Sequence, residues 1–263
     1  MNFPAKSAFD RGFSTMNTLF TGHKSERLAS VDSTNNYAAK LVHLSEWPDG
    51  SVIVAEAQTA GRGRRSKYWE SEPGKNLLCS YIFYPHFLSA GKSFMLNMIA
   101  SLAVRDLLLE FEIDSRIKWP NDVFTRRGKI AGILIESHVR GQFLTAAVIG
   151  IGLNVNQQIF THPGCDALIK HQKGEVQLQM VLERLHSNLE ARYLKLRTNP
   201  LSIAEEYNRH LFARGEVRTY NFIDGLQPAT LIRVDDDGMA LFRLNSGDRY
   251  CSLDEVSLIR DLS

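Results

Sequence analysis

The chain has 263 residues and a formal charge of +2, from 31 Lys and Arg against 29 Asp and Glu. That balance excludes a generally basic coat for nucleic acid and leaves room only for a local basic patch. At 44% hydrophobic and 23% charged residues the composition is that of a folded globule, not a disordered chain, and the length suits one large domain plus a small one. The three cysteines, Cys79, Cys165 and Cys251, are far apart and form no Cys-x-x-Cys. This argues against a disulfide scaffold or a thiolate zinc site and for a reducing, cytoplasmic setting. No apolar run approaches the roughly 18 residues that a membrane span needs.

In chain order, residues 1–24 read as a flexible leader. They lack the continuous apolar core of a secretory signal. Their Ser, Lys and Arg faintly suggest a transit peptide, but a loose segment before an alternative start at Met16 is the plainer reading. Tyr37, Leu41 and Leu44 then share one helical face, with Ser33 or Thr34 as its cap. Residues 51–57 and 77–83 are β-rich, the first after a Pro48-Asp49-Gly50 turn signal. Residues 94–109 predict a long, largely buried helix. Pro120 ends or interrupts a strand, Arg126-Arg127-Gly128 is a turn, and residues 129–137 and 143–155 are further strands. Leu178, Leu182, Leu185, Leu189 and Leu196 mark one amphipathic helix, and Ile203, Tyr207 and Leu211 another. Beyond about Gly215 short β-rich runs (217–222, 229–234, 239–244, 249–253) alternate with turns, Asp236-Asp237-Gly238 being a strong hairpin signal. The expectation is an α+β fold: residues 25–213 form a central mixed or antiparallel sheet with helices, and residues 214–263 form a small β-barrel.

Four segments carry candidate chemistry. In Gln58-Thr59-Ala60-Gly61-Arg62-Gly63-Arg64-Arg65-Ser66-Lys67-Tyr68-Trp69, three arginines and a lysine share a loop with two glycines. Guanidinium forks bind phosphate and carboxylate oxygens, so the loop suits closure over an anion; an ordinary solvated basic loop, or a nonspecific nucleic-acid contact, is the rival. It fits neither Gly-x-x-x-x-Gly-Lys-Ser/Thr nor Gly-x-Gly-x-x-Gly. The second segment, Lys118-Trp119-Pro120-Asn121-Asp122 followed by Lys129, places two lysines and a carboxylate on one hairpin. These residues can offset developing negative charge or hold magnesium, or they are plain surface charges. Gly150-Ile151-Gly152-Leu153-Asn154 is either a bulged strand end or a sheet edge lining a pocket. Ser33-Thr34-Asn35 at a helix start is either a cap or a polar receptor for a ligand. The eight histidines show no metal-ligand spacing, and no Gly-x-Ser-x-Gly elbow occurs.

These segments, in this order and with Lys129-Ile130-Ala131-Gly132-Ile133-Leu134-Ile135-Glu136, resemble the biotin–protein ligases over roughly residues 25–263. The resemblance implies a catalytic sheet domain like that of class II aminoacyl-tRNA synthetases and an SH3-like C-terminal barrel. It implies a two-step reaction: biotin and ATP, with Mg2+, give biotinyl-5′-AMP and pyrophosphate, and a lysine of a biotin carboxyl carrier domain then takes the biotin. Lys129, Arg64 and Asp122 take the catalytic places, Asp122 in a metal-linked or acceptor-lysine role. Biotin is expected at Ser33, Thr34, Asn35, Gln58, Gly61, Arg62, Gly63, Arg64, Lys129, Gly132 and Leu134. ATP and the adenylate are expected at Arg62, Arg64, Arg65, Trp69, Lys118, Asn121, Lys129 and Asn154. Only about 30 residues precede Ser33-Thr34-Asn35, too few for a winged helix-turn-helix, so no operator DNA is expected as a partner; a homodimer stays open. Ser66 stands where a glycine is frequent in the family. A lipoate–protein ligase or octanoyltransferase is the rival enzyme.

Overall fold

A computed structural model describes residues 17–44 and 46–258. The first sheet has seven strands in the order β1-β2-β3-β7-β6-β5-β4: β1 Ser25–Val31, β2 Ser51–Gln58, β3 Leu77–Phe83, β4 Arg116–Lys118, β5 Asp122–Thr125, β6 Gly128–Arg140 and β7 Phe143–Leu153. All neighbours are antiparallel except β1 and β2, which run parallel. The mixed sheet and its helices bear out the α+β expectation.

Side chains alternate across a strand, and this sorts the sheet into two faces. Val52 and Val54 of β2, with Leu77, Cys79, Tyr81 and Phe83 of β3, enter the main core; Ile53, Ile82 and Val148 join a smaller cluster with Ala38 and Trp47. The main core lies under α2 (Phe94–Glu110), α3 (Leu178–Thr198) and α4 (Pro200–Arg209). Thirteen of the 17 residues of α2 are buried, because α2 packs on the sheet, α3 and α4 at once. Arg192 of α3 ties the three helices, donating to Asp106 of α2 and Glu206 of α4 at 2.6 Å each. The smaller cluster lies under α1 (Thr34–Leu41), which ends three residues before the last position of its expected face; Leu44 is exposed.

The second sheet, order β11-β10-β9-β8-β12, holds β8 Val217–Phe222, β9 Gly225–Val234, β10 Ala240–Leu244, β11 Gly247–Cys251 and β12 Val256–Leu258. Among the described residues the expected barrel does not close: the outer strands β11 and β12 pair only with β10 and β8, and not with each other. Tyr220, Phe222 and Phe242 make its core. It docks through Trp119, whose ring meets Phe242 and whose Nε1 donates to Gly238 O at 3.3 Å.

The leader needs correction. Residues 1–16, with the alternative start at Met16, lie outside the described residues. Residues 18–24, however, are built into the fold: the amides of Leu19, Phe20 and Thr21 all donate to the Glu190 carboxylate of α3 at 2.7–2.9 Å. The Phe20 ring packs edge-on against Phe83 and Tyr193.

Candidate active site

The face of β3, β7 and β6 away from α2 and α3 is the floor of a cleft of about 760 Å³. Register puts Ser80, Gly150 and Leu134 in one row and Leu78, Gly152 and Gly132 in the next. The glycines leave space that other groups fill. A methyl group on Gly150 would stand 2.1 Å from Asn35 Oδ1, and one on Gly152 2.5 Å from the Trp69 indole. Gly132 also lies under Trp69.

One end of the cleft is a buried polar network. Ser33 precedes α1 but makes no capping bond; the Thr34 amide is instead satisfied by Gln58 Oε1 at 2.7 Å, so the expected Ser33 or Thr34 cap is replaced by a glutamine from β2. Gln58 Oε1 also lies 3.1 Å from Thr34 Oγ1, and the Gln58 amide nitrogen faces Gly61. Asn35 Nδ2 donates to Glu136 at 2.8 Å, and Ser80 Oγ sits 2.6 Å from Asn35 Oδ1 and 2.7 Å from Thr34 Oγ1.

The other end is charged. Lys129 Nζ is 2.6 Å from Asp122 Oδ1 and 5.2 Å from the centre of the Trp69 ring. A register shift in the β5–β6 pairing between Val123 and Phe124 sets the Lys129 position, as bulges beside functional sites commonly do. Its backbone is held on the far side by Gly164 O and Asp166 N, both at 2.8 Å. Asn154 Nδ2 binds Asp166 O at 2.9 Å, whereas Asn154 Oδ1 and Trp69 Nε1 are buried without a protein partner. Such orphans cost about 1–3 kcal/mol each, so a donor and an acceptor wait in the same cleft.

Between these ends the arginine loop makes a tight excursion. Gly61 O receives Trp69 N, Gly63 N donates to Lys67 O, and a 3-10 turn spans Arg64–Ser66. Arg65 takes φ of 53°, the left-handed region, at a cost of about 1–2 kcal/mol for a residue with a Cβ. Arg62 pairs with Glu136 at 2.9 Å and with Asn36. Arg64 and Arg65 reach Asp254, just before β12, at 3.3 and 3.1 Å. Burial holds the Arg64 guanidinium below its ordinary pKa, against the opposing pull of Asp254. On the opposite rim Glu70 accepts from Thr161 N and Oγ1; burial raises its pKa, and these bonds outweigh that and bring it down.

Of the residues expected at the site, all but Gly61 line this cleft; a methyl group on Gly61 would stand 2.9 Å from the Trp69 carbonyl and 3.1 Å from the Gln58 amide nitrogen. Asn121 lines it but spends its amide on Ile133 O at 2.8 Å, bracing β6. Trp119 of the same motif serves the docking of the second sheet. Gly150 and Gly152, read from the sequence either as a bulged strand end or as a sheet edge lining a pocket, lie in its floor. Phe160, His162, Leu253, Val256, Ser257 and Leu258 also line it, and no local sequence signal marks them. Cys79 borders the cleft, but burial pushes its thiol up to about 12, which rules it out as a nucleophile near neutral pH.

A model of the biotin/lipoate A/B protein ligase family matches residues 28–154. The biotin–[acetyl-CoA-carboxylase] ligase of Mycobacterium tuberculosis is 33% identical over 84% of this chain and 83% of its own length. The chain belongs to the biotin/lipoate A/B protein ligase family. The bifunctional ligase/repressor BirA of Bacillus subtilis is 30% identical over 82% of this chain and 68% of its own length. In fold, the chain superimposes on the biotin protein ligase of Aquifex aeolicus in complex with biotin and ATP with a TM-score of 0.76. That match covers 91% of this chain and all of the other at 24% identity. Among the described residues, no helix of this ligase-family chain is long and apolar enough to cross a membrane.

Proposed function

We propose that this chain is a biotin–protein ligase: it joins biotin to ATP as biotinyl-5′-AMP and passes the biotin to a lysine on the carrier domain of a biotin-dependent carboxylase. One observation carries the reading: a buried donor–acceptor network at Thr34 and Gln58 and an ammonium–carboxylate pair at Lys129 and Asp122 occupy two ends of one cleft. The first end suits a cyclic urea, which offers one carbonyl and two N–H groups. The second suits a carboxylate brought up to a triphosphate.

In the first step a biotin carboxylate oxygen attacks the α-phosphorus and pyrophosphate leaves with the electron pair. Both partners are anions, so cations must offset their repulsion. Lys129 is the nearest fixed one, and Arg62, Arg64 and Arg65 are carried on a loop that can close over the product and exclude water. Trp69, Lys118, Asn121 and Asn154 would meet the nucleotide, with the unpartnered Trp69 Nε1 and Asn154 Oδ1 as its hydrogen-bonding groups. In the second step the carrier amine attacks the activated carbonyl and AMP departs. Asp122 would accept the amine proton once Lys129 has turned to the phosphate; their 2.6 Å pairing supports this reading. No group of three metal-ligating side chains occurs among the described residues. Mg2+ accompanying a nucleotide needs only one or two protein carboxylates; of the cleft carboxylates, Asp122 beside Lys129 would hold it, Glu70 being engaged by Thr161.

Biotin-dependent exchange of pyrophosphate into ATP, followed by transfer to a carrier domain, tests the reading. Exchange driven by biotin and not by lipoate or octanoate is expected, and Lys129→Ala should lower it by roughly 10²–10³, the scale for removing one fixed donor to developing charge. Exchange driven by lipoate instead, or by none of the three acids, overturns it.

A further inference from the structure

Glu136 stands outside the cleft lining and outside the expected site, yet two of its contacts lead into it. It receives Asn35 Nδ2 at 2.8 Å and Arg62 Nη2 at 2.9 Å, and Arg62 in turn holds Asn36. We propose that Glu136 is the positioning residue that fixes the proton directions of the biotin head-group network and so makes the Thr34 hydroxyl an acceptor; this rests on the biotin reading above.

A carboxylate only accepts, so Asn35 must turn its amide nitrogen to Glu136 at 2.8 Å, with a weaker bond to Leu134 O at 3.3 Å on the same side, and its Oδ1 to Ser80. Ser80 is fully buried and has a single proton. An amide oxygen cannot donate, so at 2.6 Å that proton belongs to Asn35 Oδ1. The single Thr34 proton is then taken up within the protein, between Ser80 Oγ at 2.7 Å and Gln58 Oε1 at 3.1 Å. Thr34 Oγ1 is left with lone pairs for the cleft. Gln58 Oε1 is already engaged by the Thr34 amide at 2.7 Å, which leaves its nitrogen to donate. The pocket thus shows one acceptor and one donor, in the order that an N–H and a C=O of a cyclic urea require. Gly150 makes room for the Asn35 amide in this orientation.

Calorimetric titration of biotin into the purified chain and four variants decides the matter. Glu136→Ala is expected to weaken binding 10- to 100-fold. Glu136→Gln keeps an oxygen for Asn35 but loses the ion pair with Arg62, and should bind within about threefold of the parent. Ser80→Ala should lose about tenfold, and adding it to Glu136→Ala should cost less than a further twofold, because both act through one chain of bonds. Arg62→Ala separates the alternative in which Glu136 only tethers the loop. If Glu136→Gln falls as far as Arg62→Ala, or if Glu136→Ala binds like the parent, the proposal is overturned while the ligase reading stands. If the parent itself does not bind biotin, both fall. Should Glu136→Ala not fold, the comparison of Glu136→Gln with Arg62→Ala still decides.

Discussion

Ile149 and Gly150 are neighbours on β7, yet they face different worlds. Ile149 points into the main core and is fully buried under the helices; Gly150 points to the cleft, where Asn35 fills the space a side chain would take. The helix side of the sheet is a wall of interlocked aliphatic and aromatic groups. The cleft side is a floor kept low, with buried polar groups set in rows. Stability is concentrated on one face and recognition on the other, so adjacent substitutions should separate the two properties. Gly150→Ala should give the largest effect: the methyl displaces the Asn35 amide, and biotin affinity should fall by 100-fold or more with a loss of about 1–3 kcal/mol in stability. Ile149→Ala should do the reverse, costing about 2–5 kcal/mol while folded molecules bind biotin normally. Calorimetry and denaturant melts on the two variants check this. Equal losses of affinity would collapse the distinction between the faces.

Much of this was readable beforehand because the informative residues cluster along the chain. Residues 58–69 and 118–129 each bring several ligand-facing groups together without help from tertiary structure, and the leucine stripe of α3 declares its buried side. What escaped was set by pairing across strands. Glu136 and Asn35 are 101 positions apart, and Ser80 and Asn35 are 45 apart; no local spacing predicts their contact. β1 has no hydrophobic alternation because it is a sheet edge with most of its side chains at least partly exposed. The second sheet was expected to close, but closure depends on strand tilt and stagger, which turn signals do not encode.

A second test concerns the leader, which the helix face claims for itself. Deleting residues 1–20 removes the Leu19 and Phe20 amides from Glu190 and the Phe20 ring from Phe83 and Tyr193. The expected cost is about 2 kcal/mol, a fall in Tm of roughly 4–8 °C, with pyrophosphate exchange at 25 °C retained. Deleting residues 1–16 keeps this clasp and is the reference against which the longer deletion is compared. If the longer deletion melted at that reference temperature, the anchoring of residues 18–21 would be of no energetic consequence.

The smallest expected effect lies deepest on the same face. His186 of α3 is buried against Gly22 and edge-on to Tyr81, and neither ring nitrogen has a protein partner. Burial pulls its pKa from 6.5 down to about 4, Arg27 adds to this, and Glu190 opposes it. The folded chain therefore keeps the ring neutral where the unfolded chain takes up a proton. The stability it permits is complete above pH 6.5 and is lost as the pH falls towards 4. Glu206 acts in a lower window: its bond from Arg192 holds its pKa at about 2, so its contribution persists until the pH drops below about 4.5 and fades towards 2. Acid should thus weaken the fold in two stages with different owners. His186→Leu should remove the upper stage alone, flattening the decline between pH 7 and 5.5 by about 1 kcal/mol and leaving the lower stage in place. Urea melts across that range measure both slopes; an unchanged upper slope in His186→Leu would assign it to another group.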